Sequence, residues 1–234
     1  MRKFIALVVG AVVGIAAAGG YIWWSYEEAK PVPVGAPTPP PTGEGWINLL
    51  DEAHKAGWKN ISDDAQIFEI ANGELHVHGI TITPLRYAGY TAERFGDFDL
   101  HVEFKYEPGA NSGIFLRMQE GDPDRRGFEV QVQDDFGNPP GKNSCGAIYD
   151  VVTPMFNMAR PAGEWNSYDI SLRGPNVEIV MNGWLIIKTD FSKMTTPLGK
   201  FDIPYAEMIP DGLIAIQDHG GEAWYRNFLI KPVK

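Results

Sequence analysis

The chain has a single cysteine, Cys145, among 234 residues. One thiol excludes an intrachain disulfide and a zinc site of CxxC type, so Cys145 is expected to be a small buried residue. Positive charge is also scarce: 20 Lys and Arg stand against 30 Asp and Glu, a formal net charge of −10. Within residues 1–45, Arg2, Lys3 and Lys30 balance Glu27, Glu28 and Glu44, so the acidic excess lies entirely from residue 46 onward. Such a field repels phosphate backbones and anionic lipid, which argues against nucleic acid as a partner. Several catalytic signatures are missing as well: a GxSxG elbow, a P-loop, a GxGxxG after a strand and an HExxH.

Long apolar runs are confined to one place. Arg2 and Lys3 precede the uncharged stretch from Phe4 to Trp24, which as a helix would rise about 30 Å, the thickness of a bilayer core. A cleaved secretory signal competes with this reading, because "AAAGG" at 16–20 offers a cleavage site. The run continues past that site and ends in Tyr21, Trp23, Trp24 and Tyr26, an interfacial aromatic belt, so residues 1–29 are expected to be a retained transmembrane anchor. The flanking charges put the N-terminus inside and the remainder in the periplasm of a bacterial inner membrane. Ala6, Gly10, Gly14 and Ala18 form a small-residue stripe on which a membrane-embedded protein partner could pack. Residues 30–45, "KPVPVGAPTPPPTGEG", read as a proline-rich spacer.

Residues 46–234 carry the punctuation of an all-β domain. In "DFDLHVEFKY" (97–106), Phe98, Leu100, Val102 and Phe104 alternate with Asp99, His101, Glu103 and Lys105, the mark of a half-buried antiparallel strand. Asn182-Gly183 sits between two β-rich runs and predicts a tight hairpin. Further strands are expected at 66–70, 74–78, 112–118, 127–133, 146–149, 166–173, 212–217 and 223–231, with helical turns near 191–195 and 205–208. Many short strands and no long 3.6-residue periodicity after residue 30 predict a two-sheet jelly-roll sandwich.

"GFEVQVQD" (127–134) alternates Phe128, Val130 and Val132 with Glu129, Gln131 and Gln133. An acid flanked by two amides is an unusual solvent face, and it points to a ligand. Arg117 in "NSGIFLR" is a forked donor suited to hydroxyls or a carboxylate, with an ion pair to Glu129 as its structural alternative. His219 in "IQDHG" stands at a strand end before two glycines, where an imidazole can act as a base. Asn111, Asp134, Asp135 and Asp150 complete the polar strand-end residues. His76 and His78 share a strand face and could form a metal pair; Asp63-Asp64, Asp134-Asp135, Asp122 and Asp124 could offer oxygen ligands to calcium.

The ordered motifs "GDFDLHVEFKYEPGANSGIFLR", "GFEVQVQD", "GAIYDV", "PAGEWNSYDI", "VMNG" and "GLIAIQDHG" resemble the 3-keto-disaccharide hydrolase domain family over about residues 46–234. The resemblance implies a concanavalin A-like jelly roll and action on 3-keto-glycosides, whose C3 ketone acidifies the C2 proton and lets the glycosidic bond leave by elimination before water adds. It implies Glu129 and His219 as the acid/base pair, with Arg117, Gln131, Asp150, Gln217 and Asp218 shaping the sugar site. It also leaves room for a divalent metal ion there, calcium or a transition metal. Two non-catalytic readings stand beside the enzyme: an accessory subunit of a larger membrane complex, respiratory or photosynthetic for example, and a sugar-binding module using Trp165, Trp184 or Trp224 as platforms.

Overall fold

The computed structural model describes residues 35–80, 83–121 and 126–233. The expected anchor, its Ala6, Gly10, Gly14 and Ala18 stripe, and the candidate ligands Asp122 and Asp124 lie outside the described residues. Among the described residues no helix is long and apolar enough to cross a membrane.

Among the described residues the chain forms thirteen strands. They are β1 (Ile47–Asn48), β2 (Trp58–Asn60), β3 (Phe68–Ala71), β4 (Glu74–Val77), β5 (Arg86–Phe95), β6 (Phe98–Tyr106) and β7 (Asn111–Met118). After these come β8 (Phe128–Gln133), β9 (Asn166–Arg173), β10 (Asn176–Met181), β11 (Trp184–Asp190), β12 (Gly212–Asp218) and β13 (Ala223–Pro232). One sheet has the order β11-β10-β9-β6-β13-β4-β3, with β1 added against β13; the other has the order β2-β5-β12-β7-β8. Every pairing is antiparallel. The chain is therefore an all-β sandwich of two antiparallel sheets.

Between the sheets lie Phe98, Leu100, Val102 and Phe104 of β6, facing Ile214 and Ile216 of β12 and Phe128, Val130 and Val132 of β8, all buried. Each such side chain contributes about 1.5–3 kcal/mol through burial. The Phe104 and Tyr168 rings pack 4.5 Å apart and Trp58 meets Phe228 edge-on at 5.4 Å. Cys145 is free and fully buried, as expected, with Sγ 3.2 Å from the Tyr168 hydroxyl. Burial pushes its thiol up to about 12.

The Asn182-Gly183 turn takes φ of 50° and 81°, the positive pair that a two-residue hairpin demands. Three-residue 3₁₀ turns occur at Phe191–Lys193, capped by the Asp190 side chain, and at Tyr205–Glu207. Residues 146–149 do not form the expected strand; Ile148 makes only isolated bridges to Val130 and Val152 as the chain turns there. Conversely, β5 was not foreseen, because Thr91–Arg94 leave the core and stay exposed, so its outer half carries no apolar alternation. Part of the expected spacer lies along the sandwich. The Thr38 amide donates to Ser167 Oγ at 2.8 Å, its hydroxyl donates to Asp169, and the Gly35 carbonyl accepts from Arg160 at 3.2 Å.

Candidate functional site

The open face of the five-stranded sheet is built by register. Phe115 of β7 stands opposite Glu129, Gly113 opposite Gln131, and Asn111 opposite Gln133, while Gln217 of β12 pairs with Tyr87 of β5. Period-2 alternation sends all of these side chains away from the core. One half of the face is apolar, a cluster of Tyr87, Phe115, Met118, Leu213 and Ala215. The other half is a polar cleft of about 200 Å³ whose lining includes Asn111, Glu129, Gln131, Tyr149, Lys200 and His219, with Leu85 and Gln217 completing it.

Glu129 lies at the bottom of this cleft, 3% exposed. It fits because β7 offers Gly113 beneath it: a Cβ at that position would come 2.1 Å from Glu129 Oε1. Desolvation of the buried carboxyl raises its pKa to about 8, against the opposing pull of the Lys200 ammonium. The carboxyl is therefore mostly neutral at pH 7. Lys200 also lies over the Tyr149 ring, with Nζ 4.9 Å from its centroid. Gln217 is equally buried, and its Oε1 has no protein partner, leaving an open acceptor in the cleft.

The amides form a chain between the acid and the imidazole. The Ser112 carbonyl can only accept, so the Gln131 amide nitrogen faces it at 2.9 Å and reaches Glu129 Oε1 at 3.1 Å. The Gln131 oxygen then faces Asn111 and Gln133, each at 3.1 Å. The Asn111 amide in turn lies 2.9 Å from His219 Nδ1. Partial burial, and secondarily Lys200, lower the pKa of His219 below its ordinary 6.5, with Asp218 opposing, so the ring is neutral at pH 7.

The structure thus gathers Glu129, Gln131, Gln217 and His219 in one cleft, and it places three other expected residues elsewhere. Arg117 makes no ion pair with Glu129. Its φ of 53° breaks the alternation of β7, and its buried guanidinium reaches the Gly96 carbonyl at 3.1 Å, Asp97 at 3.0 Å and the Gly174 carbonyl at 2.9 Å. Asp218 has the opposite parity to Gln217 and His219; it is fully buried, and Oδ2 accepts from the Ile80 amide at 3.2 Å. Asp150 sits at φ 61° on the turn after Tyr149, its carboxylate against Gly199, outside the cleft lining.

Three of the candidate calcium ligands are engaged by the fold. Asp63 pairs with Arg86, Asp134 accepts from the Gly109 amide and Asp135 from the Cys145 amide. Among the described residues, the one group of three metal-ligating side chains with donor atoms close together is Glu69, His76 and His78, outside the cleft. The cleft's donors, one carboxyl and one imidazole beside an ammonium, do not form a metal-binding set. Lys200 and Tyr149 were missed by sequence reasoning. Tyr149 lies within the quoted "GAIYDV" motif, whereas Lys200 comes from a loop with no sequence signal.

The chain is thus a jelly-roll, galectin-like sandwich with a buried acid and an imidazole in a cleft of its open sheet. Residues 45–231 match the model of the 3-keto-alpha-glucoside-1,2-lyase-like domain, and the chain belongs to that family. It is 28% identical over 232 residues to a 3-keto-disaccharide hydrolase of Bacteroides thetaiotaomicron, covering 82% of this chain and 80% of that protein. A Parabacteroides distasonis protein, provisionally described as a glycosyl hydrolase, has a similar fold (TM-score 0.69, 24% identity, 80% of this chain and 99% of that one). A Bacillus subtilis protein with a galectin-like fold shares the architecture at TM-score 0.54 and 14% identity, over 80% of this chain and 94% of that one.

Proposed function

We propose that this chain cleaves 3-keto-glycosides by elimination and hydration, with Glu129 and His219 as its acid and base. The observation that carries the reading is the environment of Glu129: buried, with its pKa raised to about 8, in one cleft with a neutral imidazole. Two groups whose surroundings hold one as an acid and the other as a base at the same pH divide the acid and base roles between them. Glu129 is also the one carboxylate among the lining residues, whereas ordinary retaining and inverting glycosidases need two.

In the first half-reaction His219 takes the C2 proton that the C3 ketone has acidified. The Lys200 ammonium offsets charge developing on the ketone oxygen. The C1–O bond breaks, the Glu129 proton passes to the departing oxygen, and a C1=C2 double bond remains. In the second half-reaction ionised Glu129 takes a proton from the water that adds to C1, and the imidazolium returns a proton to C2. Gln217 Oε1 accepts from a sugar hydroxyl, and Gln131 and Asn111 hold the acid and base in register. From the sequence, we place the domain in the periplasm, tethered by residues 1–29.

Turnover of a 3-keto-disaccharide in D₂O tests this reading. Elimination and hydration place solvent deuterium at C2 of the released 3-keto sugar faster than that sugar exchanges alone. Hydrolysis without deuterium at C2, or equal turnover of the unoxidised disaccharide, contradicts it.

A further inference from the structure

We infer that Glu69, His76 and His78 form a binding site for a divalent transition metal of the zinc class, on the sheet opposite the cleft. The fold places the three on one face. Glu69 of β3 stands directly across from His76 of β4, and His78 follows two residues later, its amide bonded to the Ile67 carbonyl at 2.9 Å. The neighbours Leu75 and Val77 are buried, so Glu69, His76 and His78 project outward. Their ligand atoms all lie within 4.8 Å of one another, and His76 Nδ1 stands 3.6 Å from Glu69 Oε1. Donors about 2.0–2.1 Å from a tetrahedral zinc stand roughly 3.4 Å apart, so no pair of donors stands more than about 1.4 Å beyond the closed geometry.

The second observation is that both rings are already oriented to coordinate. His76 Nε2 is 2.7 Å from Glu222 Oε2; the carboxylate accepts the Nε2 proton, leaving the Nδ1 lone pair toward Glu69. His78 Nδ1 is 3.2 Å from the Gln66 carbonyl, which can only accept, so the His78 Nε2 lone pair is free. These are the carboxylate and carbonyl supports that fix tautomers in metal centres. The Trp224 ring, stacked on His76 at 4.6 Å and 10°, holds that imidazole in place, and the His76 and His78 rings meet at 5.1 Å and 73°. Three ligands leave a fourth position for water.

The test uses the full chain, stripped with chelator and titrated at pH 7.5 with Zn²⁺ by calorimetry and with Co²⁺ by visible absorption. Equimolar binding is expected, with the intense absorption of tetrahedral Co²⁺. His76→Gln and His78→Gln should each abolish it while keeping the parental thermal transition of the metal-free protein. Glu222→Gln, which loosens the His76 ring without removing a ligand, should weaken it by about 10–100-fold. His219→Ala should bind as the parent does. The inference is overturned by an absence of saturable binding, by binding that survives His76→Gln and His78→Gln, or by loss of binding in His219→Ala.

Discussion

The Glu129 carboxylate lies on the backbone of Gly113, so close that a single added methyl carbon would come 2.1 Å from its Oε1. Two neighbouring strands thereby fix the depth at which the acid is buried. Its raised pKa follows from that depth.

Gly113→Ala must therefore displace the carboxylate into the cleft. Misplacing a catalytic group by about 1 Å can cost about 100-fold in rate. Turnover of a 3-keto-glycoside should fall by that order, and the alkaline limb of its pH profile should move down as Glu129 regains water. Steady-state kinetics across pH, with circular dichroism as the check on folding, reads both effects.

Burial of Glu129 also makes the fold sensitive to pH. The group binds its proton more tightly in the folded state, with a pKa of about 8 against an ordinary 4.5. The stability this contributes is complete below about 4.5 and is lost as pH rises through about 8. Denaturant titrations from pH 5 to 9 should show the parent losing stability over that window. Glu129→Gln should flatten its share of the slope.

Arg117 should behave as a structural residue. Removing the guanidinium leaves two backbone carbonyls without their donor and the partly exposed Asp97 without its partner, and each buried acceptor left unsatisfied costs about 1–3 kcal/mol. Arg117→Met should lower the thermal midpoint, with KM unchanged in the fraction that stays folded. A large rise in KM without loss of stability would instead return Arg117 to the sugar site.

Much of this arrangement was legible in the sequence, because a strand has only two faces. "GFEVQVQD" placed Glu129 and Gln131 on one side, and the same alternation in "IQDHG" separates Asp218 from Gln217 and His219. The role of Arg117 was hidden by its φ of 53°, a local break that no residue pattern announces. Lys200 was invisible because it reaches the cleft from a loop whose path depends on tertiary packing. The link from Gln131 through Asn111 to His219 requires the pairing of β7 with β8, which the sequence suggests only as two separate strands.

Asn111 carries a prediction of its own. Replacing it with Leu removes the group facing His219 Nδ1 and frees the ring to change tautomer. kcat should fall by about 10–100-fold with little change in KM, since the loss falls on proton transfer. A loss confined to KM would make Asn111 a sugar ligand instead.

The most direct test of the acid/base account is the pH dependence of kcat/KM for a 3-keto-glucoside. The account predicts a bell, its acidic limb below 6.5 from His219 and its alkaline limb near pH 8 from Glu129. In the Glu129→Gln variant the residual activity should lose the alkaline limb. An unchanged profile and rate in that variant, or no turnover by the parent at any pH, would contradict the account.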